Sequence, residues 1–355
     1  MTDDCDLYSD NELISKQSTS NGSENKLPWI EKYRPQNLDQ IISHTEIIKS
    51  LQNFIDKKTL PHLLFFGPSG SGKTSTIICC ARKIYKEYMN YMVLQLNASN
   101  ERGIDTVRNT IKHFVSNRSN IFLPEERRNV FKLVILDEID SMTIEAQGML
   151  RQTIEKNSDS TRFCLICNEI DKVNVALQSR CTLFRFAPLN MINIKQRLSQ
   201  ICDFEKIKHA KNVISIIAKH SKGDMRAAIN ILQSIKLSIK HSKISIDDVY
   251  KISGYCTPET IAKIFEIFVK LSKSKIKINV AIKEIHNIIT NSNITIFNLL
   301  DELKNIIIES NFTQNQKIFL IDRFAINEIF DSINIDCKNI IMNLTSSFIL
   351  VETIN

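Results

Sequence analysis

Short apolar runs alternate with segments of helical periodicity over the first half of the chain. Near-continuous apolar runs of this kind are typical of parallel strands that are buried on both faces. About five strands alternating with helices predict a parallel α/β sheet, with ligand-binding residues at the carboxyl ends of the strands. The five runs are Leu63–Phe66, Met92–Leu96, Leu133–Leu136, Phe163–Cys167 and Thr182–Phe186.

Beyond residue 190 the strand pattern fades, and helical spacing of apolar residues continues to the end of the chain. Asp224 precedes one of these helical segments and is a predicted N-cap. Residues 1–26 are rich in Ser, Asn, Asp and Glu, which predicts a disordered tail. We therefore predict four parts: a tail at 1–26, an α/β domain at 27–189, a helical domain at 190–252 and an all-α domain at 253–355.

Between the prolines Pro28 and Pro35 we predict a short extended segment, Glu31–Pro35. The opening of this region also contains Trp29, the one tryptophan of the chain. The segment is either a hydrophobic lead-in to the domain or a strap that closes one side of a nucleotide pocket, and its residues alone do not decide between these alternatives.

The first candidate chemistry lies directly after the run Leu63–Phe66, where the sequence reads GPSGSGKTS. The pattern G-x-x-x-x-G-K-T between a strand and a helix predicts a loop whose backbone N–H groups cradle phosphates. Lys73 would reach the β- and γ-phosphates, and the Thr74 hydroxyl would be a ligand of Mg²⁺. Three of the eight glycines in the chain fall at this turn, which argues against a chance match. The predicted ATP-binding residues of the loop are Gly67, Pro68, Ser69, Gly70, Ser71, Gly72, Lys73, Thr74 and Ser75.

A second signal is the run Leu133–Leu136, which ends in Asp137 and Glu138. Two carboxylates at the end of a buried strand are costly unless a cation or a substrate occupies them. Opposite a phosphate loop, Asp137 would hold Mg²⁺ through a water molecule, and Glu138 would orient and deprotonate the water that attacks the γ-phosphate. The two motifs together favour an ATPase or a GTPase.

The net charge of +7 is compatible with nucleic acid as a partner but does not require one. Arg108 and Lys112 lie four residues apart on a predicted helix, so they are either a solvated face or candidate contacts to a polyanion.

The cysteines indicate neither disulfides nor a metal site. The nine cysteines form no disulfide pattern. Cys164 and Cys167 lie in a predicted strand, where residues three apart point to opposite faces and cannot share a metal. With no apolar run long enough to span a bilayer and an acidic N-terminus, we expect an intracellular protein without a membrane partner.

With these motifs laid out, the chain resembles the small subunits of replication factor C, the eukaryotic sliding-clamp loader of the AAA+ ATPase superfamily. The subunit counted fifth in animals and third in yeast is the most similar. The resemblance runs from Leu27 to about residue 260. It implies an AAA+ P-loop domain, a helical lid and a C-terminal helical collar. Its segments are LPWIEKYRP, LPHLLFFGPSGSGKTSTI, LNASNERGID, FKLVILDEID, TRFCLICN, LQSRCTLFRF and SKGDMRAAINILQS.

The resemblance also implies roles for single residues. Tyr33 and Arg34 would lie beside the adenine and the phosphates of ATP. Asn168 would polarise the attacking water, and Arg226 would contact the γ-phosphate from the lid. Arg180 would be an arginine finger that acts in trans, in the ATP site of the neighbouring subunit. Arg108 and Lys112 would follow duplex phosphates without reading sequence.

Some positions depart from the family pattern, which has Pro and Thr where this chain has Ser69 and Ser71. Asp137-Glu138-Ile139-Asp140 replaces Asp-Glu-Ala-Asp, and Asn100-Glu101-Arg102 replaces Asp-Asp-Arg. None of the first three changes removes a group that would touch phosphate or metal, so we expect ATP binding to persist.

The resemblance implies ATP and Mg²⁺ as cofactors and a nuclear heteropentamer that loads the clamp PCNA onto primer–template DNA. Two alternatives remain open. One is a subunit that binds nucleotide without hydrolysing it, and the other is an AAA+ DNA motor such as a branch-migration helicase.

Overall fold

The computed structural model describes residues 27–99, 104–116, 131–239, 243–273, 276–292 and 294–351, with the backbone alone at 104–108. The described residues form two compact units. The first extends to Ile201 and includes Ser221–Asn230, and the second comprises Cys202–His220 and the chain from Ile231 onward. The predicted tail and Asn100-Glu101-Arg102 lie outside the described residues, and the predicted domain boundaries stay predictions.

The first unit is built on a five-stranded sheet in which every pairing is parallel. Its strands lie in the order β2-β3-β4-β1-β5. The predicted parallel α/β sheet is thereby confirmed. The strands are β1 (Leu63–Phe66), β2 (Val93–Asn97), β3 (Lys132–Asp137), β4 (Thr161–Cys167) and β5 (Thr182–Arg185). The helices that begin in this unit are α1 (Trp29–Lys32), α2 (Thr45–Asp56), α3 (Lys73–Tyr85), α4 (Met89–Met92), α5 (Ile104–Ser116), α6 (Ile144–Lys156), α7 (Val175–Gln178), α8 (Met191–Phe204) and α10 (Met225–Ser238).

Both faces of the sheet are covered, because successive strand residues point in opposite directions. In β1, Leu63 and Phe65 belong to one apolar cluster and Leu64 to another. In β4, Cys164 packs in the first of these clusters and Cys167 in the second. The two thiols therefore lie on opposite faces of the sheet, as the strand periodicity predicts. All cysteines among the described residues are free thiols.

The segment between the two prolines differs from the prediction. Residues Trp29–Lys32 form one helical turn, so Glu31 and Lys32 are helical and not extended, and the N–H of Lys32 donates to the Pro28 carbonyl at 3.0 Å. A proline restricts the residue before it, so Pro35 affects Arg34 but leaves the preceding turn free to be helical. Pro28 itself lies before the first helical residue, where no N–H is needed.

The second unit is almost entirely helical. Thr257, Thr295 and Thr313 cap three of its helices with their side chains. At its core the rings of Phe268 and Phe348 stack, with centroids 4.4 Å apart. Two parallel strands of two residues each, too short for a periodic signal, depart from the helical prediction. The elements are β6 (Lys208–His209), α9 (Val213–His220), β7 (Lys243–Ile244), α11 (Ile246–Ser253), α12 (Pro258–Ser272), α13 (Ile278–Ser292), α14 (Ile296–Glu309), α15 (Gln314–Ser332) and α16 (Cys337–Leu350).

Over the part of the chain that the structure describes, no helix combines the length and the apolar character needed to cross a membrane.

A buried glutamine on α6 joins the loops that follow β3 and β4. The Gln147 side chain is 1% exposed. Its amide donates to the carbonyls of Met142 (3.3 Å) and Lys172 (3.0 Å), and its oxygen accepts the N–H of Asn174 at 2.7 Å. These loops carry no regular ladder of hydrogen bonds, so this one buried side chain supplies partners for three of their backbone groups.

We expect Gln147→Leu to lower the free energy of unfolding of the first unit by about 2–3 kcal/mol, because it leaves these backbone groups unsatisfied. Urea unfolding followed by tryptophan fluorescence measures this change, since Trp29 lies in the first unit. The matched control is Gln152→Leu on the same helix, where the side chain is exposed. That variant should stay within about 0.5 kcal/mol of the parent. Equal effects of the two substitutions would contradict the role given to Gln147.

Candidate active site

The loop between β1 and α3 turns on glycines that no other residue can replace without strain. Gly67 has a φ of +140°, and a Cβ there would lie 2.0 Å from the carbonyl oxygen of Phe186. At Gly70, φ is +62° and a Cβ would lie 1.7 Å from Asp224 Oδ1. The loop leads directly into the N-terminus of α3, whose first N–H groups lack intrahelical partners and whose dipole favours an anion.

Lys73 begins α3 and is 7% exposed. Its ammonium group donates to the carbonyls of Gly67 (2.7 Å) and Pro68 (2.9 Å) and to Asn168 Oδ1 (3.0 Å). Burial lowers the pKa of Lys73, while the negative charge of Asp137 opposes that change. The contact to Asn168 brings the end of β4 to the phosphate loop.

The carboxylates that end β3 face the start of α3. The Thr74 hydroxyl donates to Asp137 Oδ2 at 2.7 Å, so the pair offers two hard oxygen ligands of the kind that Mg²⁺ uses together with water and phosphate. Glu138 follows with a φ of +58°, a left-handed conformation that costs a non-glycine residue about 1–2 kcal/mol. Its N–H donates to Asp137 Oδ1 at 3.0 Å. Backbone strain of this kind is typical of functional sites.

Asp140 holds the backbone at Asn168, the predicted water-polarising residue at the end of β4. Asp140 Oδ2 accepts the N–H of Asn168 at 3.0 Å and that of Glu169 at 3.2 Å. The end of β4 is thus held against the loop that follows β3. Asn168 and Glu138 consequently border the same pocket.

Most of the residues predicted to bind or hydrolyse ATP line one pocket of the first unit. Apolar side chains such as Ile41, Ile42 and Ile229 border part of it, and the phosphate loop borders another. This combination suits a flat base joined to a chain of phosphates. The predicted residues that line it are Tyr33, Arg34, Ser69, Gly70, Ser71, Gly72, Lys73, Thr74, Ser75, Asp137, Glu138, Asn168 and Arg226. Gly67 and Pro68 contribute through the carbonyls that hold Lys73.

Comparison with known proteins identifies the family. A family described as "ATPase family associated with various cellular activities (AAA)" matches residues 63–189, and one described as "RCF1/5-like, AAA+ ATPase lid domain" matches residues 196–237. A putative replication factor C small subunit of Acanthamoeba polyphaga mimivirus is 62% identical over 330 residues, which is 93% of this chain and 96% of the relative. The chain belongs to the replication factor C small-subunit family.

Two further comparisons concern the sequence and the fold of this replication factor C small subunit. Replication factor C subunit 3 of Schizosaccharomyces pombe is 41% identical over 307 residues, 86% of each chain. The resemblance inferred from the motifs is therefore confirmed, and so is the predicted ATPase class. A variant of Thermotoga maritima RuvB superposes with a TM-score of 0.50 and 17% identity, covering 74% of this chain and 86% of the other. At that identity the likeness shows the fold alone.

Arg180 of the replication factor C chain lies apart from the pocket. It follows α7, where its guanidinium forms an ion pair with Glu155 and donates to the carbonyl of Ala176 at 2.8 Å. Arg151 is also paired with Glu155, at 3.8 Å. The structure therefore does not bring Arg180 to the ATP site of its own chain.

The candidate DNA-contacting residues lie on α5. Lys112 is exposed there, whereas the side chain of Arg108 lies outside the described residues. The C-terminal end of α5 is bound to β3, because the buried ammonium group of Lys132 donates to the Phe114 carbonyl at 2.6 Å.

Arg197 was missed by the sequence analysis. It lies on α8 and lines the same pocket, and its guanidinium donates to the Tyr33 carbonyl at 2.8 Å. Burial lowers its pKa. A signal was present, since Arg197 occurs among apolar residues at helical spacing, including the buried Ile194 and Leu198. A cation on a buried face indicates a specific partner, although the sequence does not say which.

Proposed function

We propose that this replication factor C chain is an ATP-hydrolysing subunit of a heteropentameric clamp loader that opens the sliding clamp PCNA and closes it around primer–template DNA. The observation that carries the proposal is the single pocket in which the loop residue Lys73 meets the carboxylates at the end of β3 and the amide at the end of β4. Each group matches one requirement of phosphoryl transfer.

Within this pocket the chain positions ATP and a water molecule. Lys73 and the N-terminus of α3 bind the phosphates, and Arg226 contacts the terminal one. Glu138 accepts the proton of the attacking water, which Asn168 orients. Thr74 and Asp137 would hold Mg²⁺, which neutralises charge on the phosphate oxygens when bound. Tyr33 and the apolar border receive the base, with Arg34 beside the phosphates.

A complete site requires two subunits in this proposal. Arg180 does not line the pocket of its own chain, and a guanidinium that acts on the transferred phosphate has to reach that phosphate. In the assembled ring, Arg180 would leave Glu155 and enter the site of the neighbouring subunit. Hydrolysis then depends on assembly, which couples the ATP cycle to opening and release of the clamp.

DNA contact is assigned to α5. Arg108 and Lys112 are one helical turn apart on this element, and Lys112 is exposed. Contacts from such cations to phosphates are independent of sequence, as loading at any primer end requires. The proposed nuclear location stays a prediction, since the relatives include a protein of a mimivirus as well as one of a yeast.

The test is ATP hydrolysis by the purified chain, alone and then assembled with partner subunits, with and without clamp and primed DNA. We expect weak activity of the chain alone that rises on assembly and rises again with clamp and DNA. Strong activity of the chain alone, accompanied by self-assembly and indifferent to the clamp, would overturn the loader proposal in favour of an independent DNA motor.

A further inference from the structure

The segment that begins α10 is hydrogen-bonded to the phosphate loop. Ser69 Oγ donates to Asp224 Oδ2 at 2.8 Å, across 155 residues of sequence. The backbone makes a second connection at the same place, since the N–H of Met225 donates to the carbonyl of Gly70 at 3.3 Å. Side chain and main chain of the loop are therefore both joined to the start of α10.

The same carboxylate organises the first turn of that helix. Asp224 Oδ1 accepts the N–H of Arg226 at 2.7 Å and that of Ala227 at 3.0 Å, which is the geometry of an N-cap. Gly70 leaves the space for this arrangement, because a Cβ there would collide with Asp224 Oδ1. One carboxylate group thus connects the loop that cradles phosphate with the turn that carries Arg226.

Arg226 lines the pocket together with Lys73. Both residues are cations, so both can bind one polyphosphate in that pocket. Arg226 is exposed, so packing holds its side chain only weakly. The direction in which its guanidinium points then depends on how firmly its backbone is held.

We propose that Ser69 is a positioning residue for Arg226: through Asp224, its hydroxyl fixes the start of α10 so that Arg226 meets the terminal phosphate of ATP. This inference rests on the proposed function, in which Arg226 contacts that phosphate. Discrimination of ATP from ADP therefore depends on a hydroxyl whose hydrogen bond is made to the helix cap. A direct contact of Ser69 with phosphate is the competing explanation, and the two differ in their dependence on Arg226.

The experiment measures the dissociation constants of the full chain for ATP and for ADP by titration calorimetry. Ser69→Ala is expected to reduce the preference for ATP over ADP by about three- to tenfold, the loss that corresponds to one typical intramolecular hydrogen bond. ADP affinity should be unchanged. Ser69→Thr keeps the hydroxyl and should keep the preference. Ser71→Ala is the matched control: its hydroxyl binds the Pro68 carbonyl within the loop, at 2.8 Å, so any effect should be the same for both nucleotides.

A double-mutant cycle with Arg226→Ala decides between the mechanisms. If Ser69 acts through Arg226, adding Ser69→Ala to Arg226→Ala leaves the ATP preference unchanged. A further loss in the double variant, or equal weakening of ATP and ADP by Ser69→Ala, would overturn the inference. If Arg226→Ala alone leaves the preference intact, the role of Arg226 in the proposed function fails, and the inference fails with it. A loss with Arg226→Ala but none with Ser69→Ala overturns the inference alone.

Discussion

Replacement of Glu138 by Gln is expected to lower ATP hydrolysis at this site by about 10²–10⁴-fold, the usual contribution of a general base. The amide can still orient a water molecule but cannot accept its proton. Nucleotide affinity should be retained, because the phosphates are bound by Lys73 and the loop. The measurement is phosphate release by a loader whose partner subunits carry the equivalent substitution, so that the remaining turnover comes from this chain.

The matched control for this prediction is Glu145→Gln, which makes the same change at an exposed position in the first turn of α6. It should leave hydrolysis at the parent level. Unchanged hydrolysis by Glu138→Gln would support the alternative in which this subunit binds nucleotide without turning it over. Loss of ATP binding by Glu138→Gln would instead indicate that the strained turn at Glu138, where φ is +58°, supports the shape of the loop.

Replacement of Arg180 by Ala is expected to slow hydrolysis in the neighbouring subunit by about 10³-fold or more, as for other arginine fingers. The ATP affinity of the isolated variant should equal that of the parent, because Arg180 lies outside the pocket of its own chain. ATP affinity is measured by titration of the isolated chain, and hydrolysis is measured by phosphate release after assembly.

Arg151→Ala is the matched control for Arg180, since both arginines pair with Glu155. If turnover falls equally in the two variants, the effect comes from the charge of that surface and not from a finger. Reduced ATP affinity of the isolated Arg180→Ala chain would contradict action in trans.

Several features of the fold could be predicted because they depend on residues close together in the chain. Alternating apolar runs indicated the parallel sheet, and the pattern ending in Lys73 and Thr74 indicated the loop between β1 and α3. The placement of Cys164 and Cys167 on opposite faces followed from strand periodicity alone. The prediction of an extended segment at Glu31–Pro35 was wrong at Glu31 and Lys32, since proline content says little about a single helical turn whose N–H groups bond locally.

Contacts between distant segments could not be predicted. The carbonyl that receives Arg197 belongs to Tyr33, 164 residues away. Nothing in the local sequence distinguishes Gln147 from Gln152, five residues later in the same helix. Gln147 is nevertheless buried and Gln152 is exposed. From the sequence, Ser69 is a departure from the family pattern with no expected effect on ATP binding. Its hydrogen bond to Asp224, 155 residues away, exists only in the folded chain. A local sequence pattern does not predict these hydrogen-bond partners, because packing of the whole unit brings them together.

By itself, the sequence determined the class of chemistry, the order of the strands along the chain and the residue types at the strand ends. These follow from backbone geometry and side-chain periodicity, which act over a few residues. The tertiary structure decided which of those residues share a pocket, that Arg180 is kept outside it, and that one carboxylate joins the phosphate loop to the helix carrying Arg226. The reason is physical: hydrogen bonds and burial depend on distances between atoms, and the fold sets those distances for residues far apart in the chain.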